Sequence, residues 1–269
     1  MSQPEEPLLP AERHRRIQHL LDERHVVRVS SLRDLLGVSE VTVRRDLESL
    51  ERRGLLERIH GGAVGARRMR SEPRYLEAMT TYPEEKRLIG RAAAALVEPG
   101  DTVFLNGGTT TLEVFRHLET SGIKVVTNHV GIAMESADRE VEVILVGGRY
   151  RPPSNSLVGP FATDNLRRVN ASRAFIGAEG VSRRSGVTTP SEVEAEIARL
   201  MIGRTRGEVI VVADHSKMGT IADFVIAGLD RVDRLITDGN IDAEYRAGLS
   251  EGGVDVIIAD ELIGARRGQ

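Results

Sequence analysis

The sequence predicts an α/β protein in two parts, an N-terminal winged helix-turn-helix domain joined to a Rossmann-like, mainly parallel α/β effector domain. Three observations predict it. Two short amphipathic helical runs flank a glycine turn at Gly37, and a strand-like run with paired glycines at Gly61 and Gly62 follows them. From residue 84 onward, short runs rich in Val and Ile alternate with helical periodicity, the pattern of a parallel sheet covered on both faces. Between these halves, residues 65–83 mix charge with Pro73 and show no clear period, as a linker does. The expected divisions are 11–64, 65–83 and 84–262.

Bulk properties narrow the function. A chain of 269 residues holds two domains and a substantial core. It has no Cys, which excludes disulfides, thiolate metal sites and thiol nucleophiles. No apolar run approaches the length of a membrane span, and residues 1–10 lack the basic and apolar regions of a signal peptide, so a soluble cytoplasmic protein is expected. Residues 11–70 hold 14 Lys plus Arg against 9 Asp plus Glu, a net of +5 in a chain of net −3, so the remainder carries −8. The basic end suits a nucleic acid. With 3% aromatic residues and no Trp, stacking on single strands is disfavoured and duplex DNA is the better partner.

The first helix is expected over 12–24, with Ile17, Leu20 and Leu21 buried and Arg13, Arg15 and Arg16 exposed. Ser31 and Asp34 form a capping box that opens a second helix through Leu35 and Leu36, and Gly37 turns the chain. Ser39 then serves as N-cap of a third helix that Gly54 ends in the left-handed region. On that helix Val43, Leu47, Leu50 and Gly54 share a stripe, while Thr42, Arg45, Ser49 and Arg52 lie opposite. The polar, cationic face suits a DNA major groove, with Arg45 as a forked donor, Thr42 as a short hydroxyl and Val41 turned outward toward a thymine methyl. The competing reading is a solvated helix whose arginines pair with Asp46 and Glu48. A strand over 55–59, a hairpin tip at His60, Gly61 and Gly62, and a partner strand over 26–29 complete the wing.

In the second half, strands are expected over 102–105, 124–127, 141–146, 173–176, 209–213, 231–237 and 254–258, with helices over 84–96, 110–118, 130–136, 191–204 and 242–249. Ligands of such sheets sit at the carboxyl ends of the strands. The run LNGGTTT at 105–111 joins a strand to a helix start, where two glycines permit close approach and the following N–H groups favour an anionic phosphate. The alternative is a tight turn with capping threonines. No Lys follows as in a Walker loop, and the spaced glycines of a dinucleotide fingerprint are absent. Loops at Asn128, at Arg149 and Tyr150, and at 213–217 with Lys217 end other strands. His129 and His215 read as loop hydrogen-bonding groups rather than metal ligands, and Asp101, Asp238 and 192–196 as caps and solvated faces. Glu179 ends a strand, where it either accepts sugar hydroxyls or lines solvent.

The residues at 38–39, 42–47, 54–55 and 58–63 together resemble the helix-turn-helix signature of the DeoR family of bacterial transcriptional repressors. The stretches at 106–111, 126–128, 147–150, 156–160, 175–180 and 214–217 resemble the effector-binding half of the same family, so the likeness runs from 12 to 238. It implies that Ser39, Thr42, Arg44 and Arg45 face the operator, with Arg58 and His60 on the wing, although the helical plot sets Arg44 at the edge of the polar face. It implies further an isomerase-like domain turned from catalysis to sensing, which binds a phosphorylated sugar through Asn106, Gly107, Gly108, Thr109, Thr110, Asn128, Arg149, Tyr150, Glu179 and Lys217. The family commonly has Asp where this chain has Asn106, so its sugar preferences do not transfer. Two readings follow: a repressor of carbohydrate-metabolism genes controlled by a sugar phosphate, or a sugar-phosphate isomerase with an appended DNA-binding domain. The paired-aspartate segment expected of ribose-5-phosphate isomerases does not occur, which favours the repressor, a homo-oligomeric dimer or tetramer that is no enzyme and takes no metal or cofactor. A related regulator sensing a non-sugar anion is a variant of that reading.

Overall fold

The computed structural model describes residues 8–267 apart from His25, Arg70, Ser71 and Asp138. Residues 1–7 of the stretch read for a signal peptide, and Arg70 and Ser71 of the linker reading, lie outside the described residues.

The winged domain runs α1 (Pro10–Arg24), β1 (Val26–Arg28), α2 (Val29–Leu36), α3 (Glu40–Arg52), β2 (Leu56–Ile59) and β3 (Gly62–Gly65), with an antiparallel sheet in the order β1-β3-β2. Ser39 caps α3 by accepting the Thr42 N–H at 3.2 Å, and Gly37 and Gly54 both stand at positive φ. Ile17, Leu21, Leu32, Val43, Leu47, Leu50 and Leu56 close the core. Each such side chain contributes about 1.5–3 kcal/mol by leaving water.

Two expectations fail here. The second helix begins at Val29, and Ser31 lies inside it. Val29 shares a stripe with Leu32 and Leu36, so burying it outweighs a hydroxyl cap, and its N–H donates to the Gly61 carbonyl at 2.7 Å. Arg13 is not exposed: it is 9% accessible and forks onto buried Asp46 of α3 at 2.7 and 3.1 Å.

The segment read as a linker carries β4 (Arg67–Arg68) and α4 (Tyr75–Thr80). The second domain follows as α5 (Pro83–Ala94), β5 (Thr102–Leu105), α6 (Thr109–Arg116), β6 (Lys124–Thr127), α7 (Val130–Glu135), β7 (Glu142–Leu145), β8 (Arg149–Arg151), β9 (Ser156–Val158), α8 (Pro160–Leu166) and β10 (Ala171–Gly177). It continues with β11 (Gly180–Ser182), β12 (Gly186–Thr189), α9 (Glu192–Arg204), β13 (Thr205–Val212), β14 (Thr220–Ile221), β15 (Phe224–Ala227), β16 (Arg234–Thr237), α10 (Ala243–Glu251), β17 (Asp255–Ile258) and α11 (Ala259–Arg267). Seven strands form a parallel sheet in the order β17-β16-β13-β10-β5-β6-β7. Alternate residues serve opposite layers: Phe104, Ile176 and Val211 pack in one core, and Leu105, Phe175 and Ile210 in the other. Both faces are therefore covered. From β5 the chain builds outward through β6 and β7, then returns to β10 and builds the other way, so the topological switch lies between β5 and β10.

The two domains touch through both apolar and polar groups: Ile59 and Val64 of the wing belong to the same core as Ile176 and Tyr245 of the second domain. Glu57 of β2, only 5% accessible, accepts the backbone N–H groups of Arg183 and Arg184 at 3.2 Å each and the Tyr245 hydroxyl at 3.1 Å. Arg28 of β1 pairs with Asp242 at 3.2 Å and with Glu244.

Candidate functional site

A cleft with about 120 Å³ of room for solvent opens at the switch point. Asn106 directly follows β5, and Gly177 ends β10. The Asn106 amide donates to the Gly177 carbonyl at 3.0 Å and accepts the Gly177 N–H at 2.8 Å, so it clasps the two strand ends across the switch. Its side chain lines the cleft but has both polar atoms engaged. An aspartate here would turn a carboxylate oxygen toward the Gly177 carbonyl, which explains why the amide suits this chain.

Gly107, Gly108, Thr109 and Thr110 line the same wall. A Cβ on Gly107 would lie 2.9 Å from that of Ser156, so glycine is what lets the β8–β9 hairpin approach the loop. Gly108 is the N-cap of α6 and supplies no side-chain cap, while the Thr111 hydroxyl donates back to the Asn106 and Gly108 carbonyls. The first-turn N–H groups of α6 thus lack a side-chain acceptor and point at the cleft with the positive end of the helix dipole.

Two ammonium groups complete this end. Lys217 lines the cleft and donates to Glu179 at 2.6 Å. Burial pushes its pKa down, but Glu179 and Asp214 outweigh burial and the net shift is upward. Lys86, on α5, is only 4% accessible and donates to the Ala78 carbonyl at 2.5 Å. Burial lowers its pKa, and the nearby Asp214 carboxylate offsets this only in part. At the other end stands Glu194, read above as part of a solvated face. It is half-buried, accepts the Ser156 hydroxyl at 3.0 Å, and has its pKa raised by burial.

Asn128, Arg149 and Tyr150 are not brought into the cleft. Asn128 sits behind Gly107 and donates to the Leu157 carbonyl at 3.1 Å. Arg149 and Tyr150 are exposed on β8, where the Tyr150 hydroxyl meets Asn155. Glu72, Tyr75, Ala78, Thr81 and Ser154 line the cleft without a sequence signal. Lys86 and Glu194 did leave one: each charge falls on an apolar helical stripe, Lys86 with Ile89 and Ala93, Glu194 with Ile197, Ala198 and Met201. Asp101 and Asp238 are also more than caps and solvated groups. Asp101 takes the Ser172 hydroxyl and Arg173, and buried Asp238 holds the His215 ring at 2.9 Å.

On the winged domain, Val41, Arg44 and Arg45 are exposed on α3, and neither arginine has an ion-pair partner among the described residues. Thr42 is half-buried, and its hydroxyl lies 2.9 Å from that of Ser39. The carboxylates of the competing reading have other partners: Asp46 takes Arg13, and Glu48 lies 3.9 Å from Arg58, which is equally far from Glu51. His60 is exposed at the tip of the wing. A helix face with two exposed forked cations and no ion-pair partner among the described residues suits a duplex phosphate backbone and base edges.

Comparison with known proteins gives matches over both halves. Residues 13–68 match the DeoR-like helix-turn-helix domain, and residues 81–239 match the DeoR C terminal sensor domain. The chain is 41% identical over 251 residues to the HTH-type transcriptional regulator GlpR of Haloferax volcanii, covering 93% of this chain and 98% of that one. It is 32% identical over 246 residues to the HTH-type transcriptional repressor GlcR of Bacillus subtilis, covering 91% and 95%. Among solved structures, ribose 5-phosphate isomerase A from Neisseria gonorrhoeae aligns over 52% of this chain and 55% of its own, with 15% identity and a TM-score of 0.38.

Proposed function

Because the chain belongs to the DeoR family of transcriptional regulators, we propose that it represses carbohydrate-metabolism genes and that a phosphorylated sugar sets its grip on operator DNA. It is a DNA-binding regulator with a C-terminal sensor domain, not an enzyme, as are the curated regulators it matches along nearly its whole length. Among the described residues no helix is long and apolar enough to cross a membrane.

The observation that carries the proposal is the convergence, at the switch point, of an uncapped helix start with Lys86 and Lys217. Aligned N–H groups and two ammonium groups reward a phosphate dianion, and Glu179 and Glu194 offer carboxylates to sugar hydroxyls. On the other domain, Arg45 and Thr42 read the major groove with Arg44 and Ser39 at its rim, and Arg58 and His60 follow the backbone. The functional divisions are 11–64, 65–83 and 84–262. One winged domain buries little DNA surface, so the operator-bound form is at least a homodimer.

A phosphorylated sugar found by thermal-shift screening is expected to raise the melting temperature, and its unphosphorylated parent to leave it unchanged. By linkage, a ligand that releases the operator binds the operator-bound protein more weakly by the same factor. Calorimetry with and without operator measures both sides. Equal affinities would refute a switch through this cleft.

The two arginines of the DNA-binding half separate by their salt dependence. Arg45→Ala is expected to cost about 1–3 kcal/mol of operator affinity and to relax selectivity at one base position. Arg58→Ala, already screened by Glu48 and Glu51, should weaken all duplexes alike and flatten the salt slope. Gel shifts at two salt concentrations decide, and undiminished binding by the Arg45 variant would remove α3 from the groove.

A further inference from the structure

The roof of the cleft is made by the segment that joins the two domains. Glu72, Tyr75, Ala78 and Thr81, all between the wing and α5, line the same space as Gly107 and Lys217. The helix α4 within that segment buries none of its six residues, and Leu76 is 75% exposed. Among the described residues the segment is held by Glu72 pairing with Arg151, by Tyr75, whose ring lies 5.4 Å from that of His129 and whose hydroxyl bonds Asn155, and, third, by the Ala78 carbonyl accepting from Lys86 at 2.5 Å.

The third point is the informative one. An ammonium brings three donors and a full charge, yet the one hydrogen-bond acceptor of Lys86 among the described residues is a neutral carbonyl. Lys86 and Lys217 line one cleft, and the carboxylate of Asp214 and then the charges of Lys217 and Glu179 act on Lys86 from a distance without bonding it. A phosphate between them would offer Lys86 charged acceptors, and charge-assisted bonds are about twice as strong as neutral ones. A phosphate between the lysines would engage the two donors that the carbonyl leaves free and draw the ammonium away from Ala78.

We propose that the interdomain segment is a wall of the effector site, and that a bound phosphate takes the Lys86 ammonium from Ala78 and frees α4. This rests on the reading of the cleft as a phosphate-ligand site. The chain is built to pass the change on. Between α4 and α5, Tyr82 holds φ +50, a left-handed conformation unfavourable for a non-glycine residue, and is kept there by its carbonyl accepting the Lys86 N–H at 3.1 Å and its ring lying 4.8 Å from that of His215, so the strain sits at the residue where α4 would hinge. Toward the wing, β4 pairs in parallel with β14, which begins three residues after Lys217, and β3 ends only two residues before β4. Recognition of the ligand and release of the segment that positions the wing are then one event.

Amide hydrogen exchange on the full chain tests this, with inorganic phosphate as the probe and the β5 and β6 amides as the internal control. Lys86→Met, without any ligand, should speed exchange over residues 74–82 by about fivefold while the control strands stay protected. Lys86→Arg, which keeps charge and donors, should restore protection. Phosphate should loosen 74–82 in the wild type and add nothing in the Met variant. If phosphate raises the melting temperature but exchange over 74–82 stays at the unliganded rate, the inference is overturned and the sensor reading stands. If phosphate neither stabilises the protein nor changes exchange, both fall.

Discussion

Replacing Asp46 by alanine is expected to unfold the winged domain while the sensor domain stays folded. Asp46 is buried on α3 and accepts two hydrogen bonds from Arg13 and one from the His14 ring at 3.1 Å. Arg13 spends a further donor on the Leu8 carbonyl and has no second carboxylate among the described residues. Without Asp46 a guanidinium stays buried and unpaired, which costs about 3–5 kcal/mol. Alanine returns only about 0.5 kcal/mol of helix propensity. A domain of this size holds little more than that in reserve. Operator binding should vanish, and calorimetry should show the winged domain's share of the unfolding heat lost at 25 °C. The double replacement Arg13→Met with Asp46→Leu removes both charges at similar volume and should recover most of the loss. A single transition within about 1 kcal/mol of wild type would show that the pair contributes nothing.

The same pair shows where sequence reading stops. Arg13 lies four residues before Ile17, on the apolar stripe, and that position was the available signal; its partner is 33 residues away and could not be seen. The alternation of helices and strands was legible from β5 to β17, because each central strand is buried on both faces and reads as a short apolar run. The β8–β9 hairpin and the β11-β12-β15 sheet were not, since Arg-Tyr-Arg and the Gly- and Thr-rich runs carry no such pattern. The loop at 106–110 was placed at the cleft by its glycines, yet the role of Asn106 depends on Gly177, 71 residues later. Lys217 was found at a strand end, and its pairing with Glu179 was not. Chemistry that depends on one element's termini is written locally. Chemistry that depends on two distant elements meeting is not.

Acid should destabilise the sensor domain through the side chain of His129. The ring is fully buried, and its Nδ1 accepts the Ile132 N–H at 3.2 Å as the N-cap of α7. The proton of the neutral ring is therefore on Nε2, which has no hydrogen-bond partner among the described residues. Protonating Nδ1 would place a charge in a dry site and break the cap together, and burial accordingly holds the pKa at about 4 against an ordinary 6.5. A lowered histidine pKa means that the unfolded chain binds the proton first. The contribution to stability is complete above pH 6.5, falls as pH drops through that value, and levels off below about pH 4. Across that window the loss is about 3 kcal/mol, from 1.36 kcal/mol per unit. His129→Asn supplies a side chain that caps helices well and does not titrate, so its stability should vary less between pH 6.5 and 4 by about the same amount. Urea unfolding of both proteins at half-unit pH steps measures the difference. Parallel curves for the two would show that the ring is protonated in the folded protein and that the buried neutral cap does not exist.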